Sequence, residues 1–171
     1  MAVMVISSTC VAADPKPPKP PEINSSAPTA LELLDIPPPA TTFPRDAIVA
    51  VIARAYEFGT GRDRFCSPEI AMFNLNNKGV RVVVFAAAYF RTIDGITRHV
   101  GQTHGRFSIE PNGITTRGFF QLDTDDCDGI KAYAKITVCL MRDGSDCTGK
   151  VRFSDSGKIP LYPHPENKDA K

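Results

Sequence analysis

A chain of 171 residues, 42% apolar and 23% charged, has room for one ordinary globular domain plus tails. Its formal charge of +1 supplies no overall cationic excess for holding nucleic acid or an anionic membrane. No run approaches the roughly 18 consecutive apolar residues of a membrane-spanning helix.

The first segment, MAVMVISSTCVAAD, is apolar and small from Ala2 to Ala13, and Val11-Ala12-Ala13 has the small-residue spacing that precedes signal-peptide cleavage. It reads as the remnant of a secretory signal over residues 1–13, although no Lys or Arg opens it. The alternative is a buried apolar strand of the mature protein. Lipid attachment at Cys10 fits less well, because Ser7-Ser8-Thr9 lacks the expected apolar residue. Cleavage after Ala13 removes Cys10 and leaves an even set of Cys66, Cys127, Cys139 and Cys147.

Residues 14–44 are proline-rich, opening with PKPPKPPE and closing with IPPPATTFP. Proline fixes φ and lacks a backbone donor, so the stretch favours extended polyproline conformation and reads as a flexible arm or stalk. A ligand for a proline-reading groove is the other possibility, at Pro17 to Pro21. Between the clusters, Thr29 to Ile36 (TALELLDI) carries Leu31, Leu33 and Leu34, enough for a helical turn or a docking segment.

The folded domain is expected over 45–162, with a polar tail at 163–171. In DAIVAVIARAYEFG, Asp46 stands at an N-cap position, Gly59 at a C-cap, and Ile48, Val51, Ile52, Ala55 and Phe58 recur at helical spacing. This predicts a leading helix from Ala47 to Phe58, against the strand preference of its β-branched residues. Beyond Cys66 the turn signals come at short intervals: Asn76 to Gly79, Asp94-Gly95, Pro111-Asn112-Gly113, Asp128-Gly129 and Asp143-Gly144. They delimit seven strands: Ile70 to Leu75, Val80 to Arg91, Ile96 to Val100, Thr103 to Ile109, Ile114 to Leu122, Ile130 to Met141, and Cys147 to Phe153. Seven short strands predict an antiparallel β-sandwich.

Within Ile130 to Met141 the alternation sets Ile130, Ala132, Ala134, Ile136, Val138 and Leu140 toward a core, and Lys131, Tyr133, Lys135, Thr137 and Cys139 toward water. The run from Val80 is apolar on both faces. Val80, Val82, Val84, Ala86, Ala88 and Phe90 form one side, and Val83, Phe85, Ala87 and Tyr89 the other. Something must cover the second side, either the leading helix or another protein. Val83, Phe85 and Tyr89 are therefore candidate interface residues.

A three-residue hairpin loop of Arg142-Asp143-Gly144 puts glycine at a left-handed position and sets Cys139 opposite Cys147, within disulfide reach. Cys66 and Cys127 are then left to bond each other, with a chain-entropy stabilisation on the order of 4 kcal/mol. That register sends Val151 and Phe153 to the wet face unless a bulge at Thr148-Gly149 returns them to the core. The alternative pairing joins Cys66 to Cys139 or Cys147. Zinc would need closely spaced cysteine pairs, which are missing. Disulfides and the signal-like start both point to an oxidising compartment: periplasm, cell surface or exterior.

With these features in place, the segments EIAMFNLNNKGVRVVVFAAAYFRTIDG and CDGIKAYAKITVCLMRDGSDC, joined through the Pro111-Asn112-Gly113 turn, give Cys66 to Pro160 a rhythm that resembles small exported bacterial proteins with a fibronectin type III-like or immunoglobulin-like sandwich. It is similar in particular to the interleukin receptor mimic family. The resemblance implies export, a seven-stranded sandwich, dimerisation by strand exchange, and protein binding in place of catalysis. It assigns no binding residue, and the chain departs from ordinary fibronectin type III domains in having no tryptophan.

Residues for chemistry are few. His99 and His104 read as solvated surface histidines, and His164 falls in the tail. The loop DTDDCDG, Asp123 to Gly129, concentrates carboxylates, but its spacing fails the calcium-loop motif, with Cys127 at the fifth place and Ala134 where the bidentate Glu belongs. No Gly-x-Ser-x-Gly elbow or phosphate-cradling loop occurs. The sequence is thus read as an exported, non-catalytic module of protein-binding or adhesion type with no cofactor and no metal. The expected associations are with a protein partner and with a second copy as a homodimer, without nucleic acid and without a membrane span. The alternatives are a metal-dependent or acid/base hydrolase using Asp123 to Asp128, and a structural subunit of a surface assembly.

Overall fold

In the computed structural model the chain is described over residues 43–118 and 120–165. The expectations for the signal remnant, Cys10, the Thr29 to Ile36 segment, nearly all of the proline-rich arm and the end of the tail lie outside these residues. The described part is mainly β, with eight strands: β1 (Ile48–Phe58), β2 (Phe65–Asn74), β3 (Val80–Ile93), β4 (Ile96–Ile109), β5 (Ile114–Arg117), β6 (Ile130–Met141), β7 (Val151–Phe153) and β8 (Leu161–Pro163). They form two four-stranded sheets, sheet I in the order β5-β2-β1-β7 and sheet II in the order β4-β3-β6-β8. Seven strands were expected, all antiparallel. Two strands, β1 and β8, are additional, two of the expected seven are the single strand β4, and β7 and β8 join β1 and β6 in parallel. No helix among the described residues is long and apolar enough to cross a membrane.

The predicted helix from Ala47 to Phe58 is strand β1, a central strand of sheet I paired with β2 from Ile48↔Asn74 to Phe58↔Phe65. Its apolar spacing imitates a helix because the strand is buried on both sides from Ile48 to Ile52, which removes the polar half of a period-2 pattern there. Ile48, Ala50 and Ile52 enter the main core, while Ala47, Val49 and Val51 pack with Ala71, Phe73 and Phe43 on the other side of the sheet. Asp46 is an ion-pair partner of Lys150 at 3.0 Å and caps no helix. β-branched propensity decides the strand here.

Both sheets line one hydrophobic core. Ile48, Ile52, Ile70 and Met72 contribute from sheet I, and Val83, Phe85, Tyr89, Phe107 and Ala132 from sheet II. Phe85 and Phe107 meet edge to face with ring centres 6.4 Å apart. Burying each such side chain favours the fold by about 1.5–3 kcal/mol.

The two strands expected at Ile96 to Val100 and Thr103 to Ile109 are one long strand, β4. It is kinked where the pairing passes from Phe90↔His99 to Tyr89↔Gly101. Gly101 has φ of 152°, and a Cβ there would lie 2.9 Å from Leu122 Cδ2, so the kink and the close approach both need glycine. The Asp94-Gly95 turn joins β3 to β4 as a two-residue hairpin with positive φ at both residues. The strand expected at Ile114 to Leu122 ends at Arg117.

Both disulfides have the expected partners. Cys139 and Cys147 are bonded with Cα atoms 5.0 Å apart, and Cys66 and Cys127 with Cα atoms 5.1 Å apart. The loop Arg142-Asp143-Gly144 closes through Met141 N–H to the Ser145 carbonyl at 2.9 Å and Gly144 N–H to the Met141 carbonyl at 3.0 Å, with Gly144 at φ 84°. Cys139 was expected on the wet face, yet it is buried. The change of phase comes from a bulge in β6, where Val84 pairs with Val138 and Phe85 with Ile136, leaving Thr137 extra. Past it, Cys139 and Met141 face the core and Val138 faces out. Val151 reaches the interior after a one-turn 3₁₀ segment at Thr148–Lys150, the place where a bulge was expected, and β7 then crosses to sheet I instead of continuing the hairpin with β6.

Candidate binding face

The candidate interface residues Val83, Phe85 and Tyr89 are all 0% exposed, inside the core between the sheets. The phase of β3 is the reverse of the expected one: Val84, Ala86, Ala88 and Phe90 look outward and are half-buried. Phe85 and Tyr89 share one buried cluster with Ile48, Ile52, Ile70 and Met72 of sheet I, which leaves the other side of sheet II as the face built from alternate residues of its strands.

The pairing registers assemble that face in rows. Ala86 lies between His104 of β4 and Lys135 of β6, Ala88 between Gln102 and Tyr133, Phe90 between His99 and Lys131, and Val84 between Arg106 and Val138. Tyr133 continues to Tyr162 of β8. An aromatic line crosses all four strands. His99 to Phe90 is 5.4 Å between ring centres and Phe90 to Tyr133 is 5.9 Å, both edge to face, and Tyr133 to Tyr162 is 5.8 Å. Such pairs add about 0.5–1.5 kcal/mol each beyond area burial and hold the rings in place. Beside the line, Ala86 and Ala88 leave a shallow depression of about 220 Å³ bounded by Gln102, His104, Tyr133, Lys135 and His164.

The charges on the strands of sheet II are one-sided. The four strands of sheet II contain no Asp or Glu, but they carry Arg81, Arg91, Arg98, Arg106, Lys131 and Lys135. Carboxylates near the sheet stand in the connections, at Asp94, Glu110 and Asp128. Arg106, Lys131 and Lys135 are exposed and make no ion pair or side-chain hydrogen bond among the described residues, whereas Arg64, Lys78, Arg91, Arg142 and Lys150 each hold a carboxylate. A near-neutral chain thus carries a local basic field that whole-molecule charge conceals.

The acidic loop is tied up locally. Arg91 donates to Asp125 Oδ1 at 2.9 Å, to Asp126 Oδ2 at 2.6 Å and to Thr124 Oγ1 at 2.6 Å. The hydrogen bond from Arg91 holds the Asp125 carboxyl below its ordinary value. Among the described residues no group of three or more His, Cys, Asp or Glu side chains is placed to hold a metal. His99 and His104 are exposed on β4, and the His164 N–H bonds to the Ala134 carbonyl at 2.7 Å.

Lys131, Tyr133 and Lys135 were legible as outward residues from the alternation in β6. Phe90, Ala86 and Ala88 were not, because no polar residue between Val82 and Phe90 marks a wet side. In comparisons with known proteins, the chain matches no family model and no curated protein.

Proposed function

We propose that this chain is an exported, non-catalytic β-sandwich module of fibronectin type III-like character that works by binding another protein through the outer face of sheet II. The observation that carries the reading is the aromatic line His99, Phe90, Tyr133 and Tyr162, set among Arg106, Lys131 and Lys135, which hold no carboxylate among the described residues. Tyrosine and arginine are among the residues that contribute most where protein surfaces meet, and Tyr133, Tyr162 and Arg106 are on this sheet. Two disulfides support a location in the periplasm, at the cell surface or outside the cell.

Site-specific photo-crosslinking tests it. A benzophenone side chain is placed at Tyr133 on sheet II or at Arg117 on sheet I, in full-length protein made by its native host. Discrete crosslinked polypeptides identified by mass spectrometry from position 133, and not from 117, are the expected result. Equal products from both positions, or none from 133, would overturn the assignment.

A further inference from the structure

The geometry points to the class of partner segment this face accepts: an extended polypeptide run of consecutive acidic residues, lying along β3. The inference rests on the binding role just proposed for the face. On it, the outward side chains of β3 make a floor of Val84, Ala86, Ala88 and Phe90. On one side β4 presents Arg106, His104 and His99, and on the other β6 presents Lys135 and Lys131. The floor is one strand wide, so the two basic rails stand two strand spacings apart, about 9.5 Å at the backbone. Outward residues of a strand recur about every 6.7 Å, so Arg106 and His104 stand one repeat apart and Lys135 and Lys131 two repeats apart with Tyr133 between them, while His99 follows Gln102 past the bulge at Val100.

An extended peptide has the same repeat. Its successive side chains point to opposite sides, and same-side neighbours are about 6.7 Å apart. A backbone lying over Ala86 and Ala88, where small side chains let it approach, sends alternate carboxylates to the β4 rail and to the β6 rail. Only consecutive acidic residues reach both. The bonds formed are charge-assisted, from Lys ammonium and Arg guanidinium donors to carboxylate acceptors. A single nucleic-acid strand fits less well, because its charge lies along one edge and its bases need open ring faces. Here Phe90 and Tyr133 are held edge to face, with 72° between their planes.

The test uses the full disulfide-bonded chain and fluorescein-labelled peptides, read by fluorescence anisotropy at about 0.05 M salt, where screening is weak. Deca-glutamate is expected to bind and to move the amide NMR signals of Ala86, Ala88, Tyr133 and Lys135. A twenty-residue peptide alternating Glu and Thr carries as many carboxylates but addresses one rail at a time, so it is expected to bind at least about threefold more weakly. The double variant Lys131→Glu, Lys135→Glu is expected to lose at least about tenfold in deca-glutamate affinity with an unchanged melting temperature, and Arg117→Glu on sheet I to lose nothing. Equal affinity for the two peptides, or signals moved elsewhere, would overturn the inference. A sulfated octasaccharide or a dT12 oligonucleotide binding at this face in place of deca-glutamate would overturn the peptide class and leave the face as a binding surface. If none of the three probes moves signals on sheet II, the inference and the binding role assigned to the face both fall.

Discussion

Cys66 and Cys127 are 61 positions apart in sequence and 5.1 Å apart at Cα, and their bond pins the start of β2 to the loop that leads into β6. The second bridge, Cys139 to Cys147, spans only 8 positions and closes a hairpin that its glycine turn already favours. Cross-links stabilise mainly by restricting the unfolded chain, and more so for longer loops. Cys66→Ala with Cys127→Ala is therefore expected to cost about 4 kcal/mol, and Cys139→Ala with Cys147→Ala about 2.5 kcal/mol. Urea unfolding of the two double variants checks the order. A larger loss for the short loop would show that native-state packing around Cys139 dominates over chain entropy.

Phe85 and Tyr89 separate two effects of burial. Phe85 is wholly apolar and fully enclosed, so Phe85→Asp buries an unpaired carboxylate and is expected to abolish folding, seen as loss of near-ultraviolet circular dichroism. Tyr89 is equally enclosed, but its hydroxyl and that of Thr103 on the neighbouring strand have no hydrogen-bond partner among the described residues. An unsatisfied buried hydroxyl opposes folding, so Tyr89→Phe is expected to raise stability by about 1 kcal/mol in urea unfolding. Burial also pushes the Tyr89 phenol above its ordinary value. A raised folded-state value means that stability is fully present below the unfolded phenol's pKa, near 10, and falls as the pH climbs beyond it. Tyr89→Phe should remove that alkaline decline.

How far the sequence speaks depends on which residues mark the water side. The turns are legible because Asp94-Gly95, Asn112-Gly113 and Asp143-Gly144 have few other uses, and the hairpin loop at Gly144 carries the Cys139 pairing with it. Strand phase is less legible. In β3 the only charged residues, Arg81 and Arg91, are both odd-numbered, which makes the odd side look wet, although Val83, Phe85, Ala87 and Tyr89 on that side are core. Arg81 escapes the core because the pairing slips between Val80 and Val82, and Arg91 because it lies beyond the core, against Asp125 and Asp126. The bulges at Thr137 and at Val100 shift the phase again, and nothing in IKAYAKITVCLM announces the first of them. Thr137 donates to the Val84 carbonyl at 3.3 Å, a contact that exists only once the two strands have met. The candidate face was half visible for the same reason, since the β6 residues could be assigned alone but the β3 and β4 residues needed the register.

Asp143 gives a test in acid. The Ser145 hydroxyl donates to its carboxylate at 2.6 Å, Lys78 at 2.9 Å and the Ser145 N–H at 3.0 Å, and in that order these bonds hold its carboxyl well below the usual range. A depressed folded-state value contributes stability above the unfolded carboxyl's pKa, near 3.9, and loses it as the pH falls toward the folded value. Asp143→Ala should therefore destabilise the hairpin most at pH 7 and progressively less as the pH is lowered to 2. Melting temperatures of both proteins across that range check the sign, and a gap that widens in acid would contradict the assignment.

Arg91 decides whether the Asp123 to Asp128 loop has any role beyond structure. A cation entering between Asp125 and Asp126 must displace a guanidinium that is only 15% exposed and already bonded to both carboxylates and to Thr124. Calcium or zinc added to the intact protein is therefore expected to move the melting temperature by less than about 1 °C, since a ligand stabilises only in proportion to its affinity for the folded state. Arg91→Ala frees the carboxylates and is expected to cost about 1 kcal/mol, the scale of an ion pair screened by solvent on its carboxylate side, where Asp125 is exposed. It should also create a weak, calcium-dependent rise in melting temperature that the parent lacks. If the parent responds to calcium as strongly as the variant, Arg91 does not occupy the carboxylates, and the loop regains its standing as a metal site for hydrolysis.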